Sequence, residues 1–215
     1  MRRRALLGIS NGNQPPTSEW SLFGQWDFQG NLLDSSGNNN NAILVGNATI
    51  QPNYLNCLSC GANIPINWNL IGDYRIELEF FFANIPHSNA AIWNNGGNSW
   101  VKGLFVGPNN NNWALHYSRG NNTYLFQYGN IAFTNFNWYR CEIIATNAEK
   151  SFDFEFNFFD VQSGNLVNQV IVPIVNITGY RTEEQYMYLG YHIRYLNDRP
   201  SYAYIRNVKM WIKNE

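Results

Sequence analysis

Between residues 151 and 158 the chain sets Phe152, Phe154, Phe156 and Phe158 alternately with Asp153, Glu155 and Asn157. Side chains two apart on a strand share a face, so only an extended strand can bury all four rings together. Residues 74–80 repeat the pattern, with Tyr74, Ile76, Leu78 and Phe80 on one face and Arg75, Glu77 and Glu79 on the other. Further strands are predicted at 103–106, 113–118, 123–128, 138–146, 167–175, 186–191 and 202–213. Gly107-Pro108 with four asparagines, and Arg119-Gly120-Asn121-Asn122, read as hairpin connections. Helical periodicity never lasts beyond a turn or two, and no repeat of solenoid period is present. About ten short strands with alternating faces predict an all-β chain of two antiparallel sheets packed as a sandwich. Arg75, Glu77, Glu79, Arg140, Glu142, Asp153, Glu155, Lys209 and Lys213 then fall on a solvated outer face. Each good cross-strand pair there is worth about 0.2–1 kcal/mol.

The stretch 24–50 carries a second signal. Trp26 and Phe28 share a strand face; Leu32 and Leu33 follow, then Asp34-Ser35-Ser36-Gly37, four asparagines, and an apolar run from Ala42 to Val45. Asp34 and the serines can accept from nearby backbone amides, and Gly37 takes a positive φ freely, which suits a fixed turn between strands. This order resembles the opening of LamG-like jelly-roll domains of the concanavalin A-like lectin and glucanase superfamily. Ile205-Arg206-Asn207-Val208-Lys209-Met210-Trp211 is similar to the family's closing strand, with Met210 in place of the usual isoleucine, and Trp138 stands where the family opens a central strand. The resemblance spans about residues 23–213 and implies an antiparallel two-sheet jelly-roll β-sandwich. It leaves function open, because lectins, adhesion modules, hydrolases and structural domains all use that fold.

Composition narrows the classes. Of 215 residues 45% are hydrophobic and 16% aromatic, enough for a large core, while only 13% are charged and 35 are asparagine. The net charge of −1 gives no reason to expect a nucleic-acid partner. No apolar run is long enough for membrane insertion. Residues 1–19 form an arm apart from the predicted domain at 20–215: Arg2, Arg3 and Arg4, a short apolar run with Leu6 and Leu7, then a Pro/Asn linker. Its apolar part is too short for a signal peptide, so the arm is expected to be retained as an assembly anchor. Cys57, Cys60 and Cys141 are odd in number. Cys57-Leu58-Ser59-Cys60 has the spacing of half a zinc site, but no second half accompanies it, and buried thiols are expected. No metal and no cofactor is expected.

Glucanases of the superfamily place catalytic carboxylates at alternate positions on one strand. Glu77-Leu78-Glu79 and Asp153-Phe154-Glu155 mimic this, but each lacks the last acid, so no catalytic residue is assigned. His87, His116 and His192 stand next to no nucleophile. Calcium would need several carboxylates around Asp34, whereas these loops are rich in amides. The ligand candidates are aromatics in polar loops: Trp93 and Trp100 around Asn94-Asn95-Gly96-Gly97-Asn98-Ser99, then Trp113, Tyr117 and Tyr124. Rings stack on the apolar faces of sugars while amides and hydroxyls read the sugar hydroxyls. The expectation is a non-catalytic module docked by its arm onto protein partners in a larger assembly, such as virion subunits. Its jelly roll would contact those neighbours or a host-surface glycan. The alternative is a free-standing extracellular lectin-like or adhesion module, with a glycoside hydrolase ranked last.

Overall fold

A computed structural model describes residues 19–58, 60–66, 72–83, 91–94, 103–109, 112–119, 123–129, 133–134, 136–148, 151–175, 186–190 and 202–214. All regular structure among them is β. The strands are β1 (Trp20–Trp26), β2 (Ile43–Leu44), β3 (Thr49–Gln51), β4 (Tyr54–Cys57) and β5 (Ala62–Pro65), then β6 (Tyr74–Phe82) and β7 (Trp93–Asn94). There follow β8 (Gly103–Asn109), β9 (Asn112–Arg119), β10 (Thr123–Gly129), β11 (Trp138–Ala148), β12 (Ser151–Asp160), β13 (Leu166–Val175), β14 (Tyr186–Leu189) and β15 (Ala203–Lys213). They form an eight-stranded sheet, β13-β12-β11-β6-β15-β4-β3 with β1 also on β15, and a seven-stranded sheet, β10-β9-β8-β7-β14-β5-β2. Every pairing is antiparallel, so the predicted two-sheet jelly-roll sandwich is the architecture observed.

The core lies between the sheets and follows the period-two pattern. Phe154, Phe156 and Phe158 of β12 are fully buried, as are Ile76, Phe80 and Phe82 of β6 and Ile143 and Ala145 of β11. From the second sheet come Ile64, Trp93, Met187 and Leu189. Each of the Phe, Ile, Leu and Met side chains among them contributes about 1.5–3 kcal/mol by leaving water. Strand β15 would lose this parity without its irregularity at Asn207, where the register with β6 shifts and φ is +51°. That extra residue lets Ala203 and Ile205 before it, and Val208 and Met210 after it, all face inward. The three cysteines are buried and in no disulfide, and burial pushes the Cys57 and Cys141 thiols well above the ordinary range.

Strand β1 ends at Trp26, and Phe28 lies beyond it with φ +54°, yet both rings are buried. The corner that follows is tied back onto β1. Asp34 Oδ1 accepts from Gln25 N and Ser36 N, both at 2.9 Å, and Oδ2 accepts from Asn40 N at 3.0 Å. Ser35 N donates to Gln25 O at 2.8 Å, while Asn38 and Asn40 amides reach the carbonyls of Leu22 and Phe23. Gly37 adopts φ +91°, a conformation open to it for lack of a Cβ. The free margin of β1 is therefore closed by its own loop. Trp26 Nε1 reports the same packing by donating to Asn40 O at 2.7 Å.

Candidate functional site: an aromatic strip beside the end of β6

The outer face of the eight-stranded sheet divides into a charged field and an aromatic strip. Register places Tyr204 opposite Phe81 and Phe81 opposite Trp138. Phe81 stacks on Tyr204 with centroids 5.4 Å apart and meets Trp138 at 5.4 Å, and Tyr54 of β4 continues the row at 4.6 Å from Tyr204. The Arg206 guanidinium lies 3.9 Å over the Trp138 ring and is held there by Glu79 Oε2 at 2.7 Å. Four half-buried rings thus cross four strands in a fixed row.

Beside the end of β6 stand two rings of a different kind. Phe136 is 72% exposed and Tyr202 37% exposed, the first at φ +64° and the second at φ +51°. Bulky residues rarely occupy that region, and holding one there costs about 1–3 kcal/mol. Both are pinned to the end of β6: Phe136 N donates to Phe82 O at 3.1 Å, and Ala83 N donates to Tyr202 O at 3.2 Å. The Phe136 loop is also anchored from below. Phe133 enters the core against Phe80, Phe82, Tyr139 and Phe158, and Thr134 N donates to the Tyr139 hydroxyl at 3.0 Å. A strained backbone, rigidly supported, therefore presents an aromatic ring to solvent, with Phe81 edge-on behind it at 5.8 Å.

The charged field beside the strip engages its own acids. Arg75 pairs with Glu77 and Glu142 and packs over Trp211. Asn157 donates to Glu142 at 3.1 Å and Glu155 at 3.0 Å, and Gln169 donates to Glu155 at 2.9 Å. Glu77, Glu79 and Glu155, three of the four glucanase-like acids of the sequence, thus direct their oxygens to arginines and amides of the same face, while the Asp153 side chain lies outside what is described. Asn157, on the same strand face as Glu155, is buried beneath them. Among the described residues no cluster of three or more His, Cys, Asp or Glu is placed to hold a metal. Nor is any described helix long and apolar enough to cross a membrane.

Of the ring candidates read from sequence, Trp93 is the one whose side chain is described. Trp93 is fully buried, its centroid 6.4 Å from that of Tyr74 in the opposing sheet, so it fills the core and offers no face for stacking. Its two-residue strand β7 sits between β8 and β14, and that position directs the ring inward. For Trp113, Tyr117 and Tyr124 the strand register is described: they pair with Gly129, Leu125 and Ser118 respectively. Position 124 thus has the opposite parity to 113 and 117. Trp100, the arm residues Arg2, Arg3, Arg4, Leu6 and Leu7, and the rest of residues 1–18 lie outside the described residues. The sequence reading missed Phe136, Tyr202, Tyr204, Tyr54 and Phe81. Only the break of alternation in Phe80-Phe81-Phe82 could have flagged one of them.

No protein-family model matches the chain, and no curated protein matches it. Solved structures do share the fold. Domain 4 of AbnA, a GH43 extracellular arabinanase from Geobacillus stearothermophilus solved in complex with arabinotriose, aligns with TM-score 0.60 and 12% identity, over 91% of this chain and 94% of that one. The botulinum neurotoxin serotype D binding domain aligns with TM-score 0.60 and 13% identity over 90% of this chain. The receptor binding domain of the mosaic serotype C/D neurotoxin gives 0.57 and 16% over 91%. This chain spans about half the length of those neurotoxin domains, at 49% and 48%. At such identities the likeness is one of fold, and it places the chain among jelly-roll-like β-sandwiches.

Proposed function

We propose that this chain is a non-catalytic binding module, a jelly roll of LamG-like type that takes a glycan on the aromatic strip beside Phe136 and Tyr202. The observation that carries this reading is the exposed Phe136 ring held at φ +64° by a loop rooted in the core. Strain of that kind persists where the ring's position matters more than local stability. Tyr202 and the half-buried Tyr54 and Tyr204 add hydroxyls that suit a ligand with apolar ring faces and polar edges. Two further facts agree with the reading: a domain of the same fold was solved with arabinotriose, and others are receptor-binding domains. The engagement of Glu77, Glu79 and Glu155 in ion pairs and amide contacts weighs against hydrolysis.

A glycan array with wild-type protein and Phe136→Gly tests this. Glycine relieves the backbone at that position, offset by its own entropy of about 0.5–1 kcal/mol, so the variant should melt no lower than wild type. Its affinity should nevertheless fall at least about tenfold, in line with the loss of a stacking ring. An array without hits, or affinity untouched by the substitution, would remove the proposal.

The same reading assigns residues 1–19 to docking the module in a larger assembly. The basic start Arg2-Arg3-Arg4 and the Pro/Asn linker fit a decoration, fibre or tail-associated component of a virus particle. Deleting residues 2–19 should leave the sandwich folded and abolish incorporation into the particle. A truncated protein that incorporates normally would refute the anchor.

A further inference from the structure

We infer that the free edge of β13 is a self-association surface, on which a second copy of this chain adds its own β13 antiparallel across a twofold axis at Gln169. Strand β13 ends the eight-stranded sheet, and β12 is its only strand neighbour among the described residues. An exposed edge is a template for another strand, and chains usually blunt it with charges, proline, bulges, covering loops or short length. The opposite margin of this sheet is blunted: the Asp34 loop closes β1, and β3 has three residues. By contrast β13 has ten residues, and Leu166, Val167 and Ile171 on it are 52%, 44% and 55% exposed. No Asp, Glu, Lys or Arg occurs between Asp160 and Arg181. A neutral strand fits an equally neutral partner and imposes no repulsion on its own copy.

The register suits the same strand of a second copy as that partner. Against β12, Leu166 stands opposite Phe159, Gln169 opposite Asn157 and Ile171 opposite Glu155, with the irregularity at Val167 absorbed between Leu166 and Asn168. Leu166 and Ile171 are thus equidistant from Gln169 in the ladder and share its outer face. A twofold axis through Gln169 sets Leu166 of each copy against Ile171 of the other and Gln169 against itself, the isologous arrangement of a closed pair. Pro173 fits the same geometry. A strand proline is accommodated where its missing N–H points away from the neighbouring strand. Direction alternates, so the N–H groups of Gln169 and Ile171 point to the free edge with Pro173. The new ladder would run from Leu166 to Ile171 and stop where proline can no longer donate.

Sedimentation of the full chain should show a dimer at about 100 µM protein. Gln169→Pro removes the edge-facing N–H together with the exposed side-chain hydrogen bond to Glu155, so it should keep the strand spectrum and melt within a few degrees of wild type while weakening the dimer at least about tenfold. Ile171→Lys should weaken it comparably by bringing charge to both ends of the apolar seam. Gln169→Cys should oxidise to a covalent dimer, because hydrogen-bonded antiparallel partners lie about 5.5 Å apart at Cα, within disulfide range. The native cysteines are buried and would not compete. A monomer at that concentration overturns the proposal, as does a dimer indifferent to Gln169→Pro and not cross-linked through Cys at 169. A dimer lost on deleting residues 2–19 would assign the edge to the arm and overturn it equally.

Discussion

Asp34→Ala is expected to cost about 3–5 kcal/mol, because it strips a buried carboxylate from three backbone N–H groups that then have no acceptor. Those donors belong to Gln25, Ser36 and Asn40, so the loss frees the margin of β1 as well as the turn. Chemical denaturation would show a lower midpoint with little change in slope. Asp34→Asn keeps one oxygen but turns an amide donor toward other donors, and should recover only part of the loss. The two variants also differ from wild type in acid. Burial pushes the Asp34 carboxyl up, but hydrogen bonds from Ser36 and from the amides of Gln25, Ser36 and Asn40 outweigh it, and the carboxyl titrates below its ordinary range. A depressed folded-state pKa stabilises above the unfolded value of about 3.9, and that contribution is lost as pH falls through the folded value. Wild type should therefore lose stability more steeply than Asp34→Asn between about pH 5 and pH 2. Parallel acid limbs would show that the carboxylate charge plays no part in the corner. Asp160, likewise held down by Asn137 and Ser163, remains in both proteins and keeps the variant's limb from vanishing.

Gly190→Ala should be about as damaging, at about 3–5 kcal/mol, from two additive sources. The residue has φ +79°, and a Cβ built there would lie 2.2 Å from Cys57 Sγ and 2.5 Å from Cys57 Cβ. Cys57 is fully buried and cannot swing aside, and Gly190 N is tied to Ile92 O at 2.9 Å. Adding Cys57→Gly to Gly190→Ala opens the space but leaves the backbone strained. The double variant should thus be less destabilised than the sum of the single changes, and the difference measures the clash directly. Strict additivity would mean that the two groups do not meet.

Strand identity was legible wherever alternation ran long enough to commit a face. Phe154, Phe156 and Phe158 on β12, or Ile76, Leu78 and Phe80 on β6, leave no choice of side once one ring is buried. Short strands were not legible: β7 is two residues among asparagines, and Trp93 looked like a loop aromatic because its inward direction comes from the strands on either side. The irregularity of β15 left a trace, since Ala203 and Ile205 are out of phase with Val208 and Met210, a parity break that only one extra residue can mend. The exposed site left less. Nothing in the identity of Phe136 or Tyr202 favours a positive φ; neighbouring backbone at the end of β6 imposes it. Local preference loses there to tertiary contact, and positions of that kind are where function is most often found.

The amide-lined corner that closes off β1 has a bearing on how far copies of this molecule can accumulate. A sheet with two receptive sides could keep recruiting neighbours and lengthen without limit. Among the described residues this one has a receptive side along β13 only, because Asn38, Asn40 and Ser35 occupy carbonyls of β1 and β3 is three residues long. Growth through this layer therefore terminates once two molecules have met, and a fibre would require that corner to come undone first.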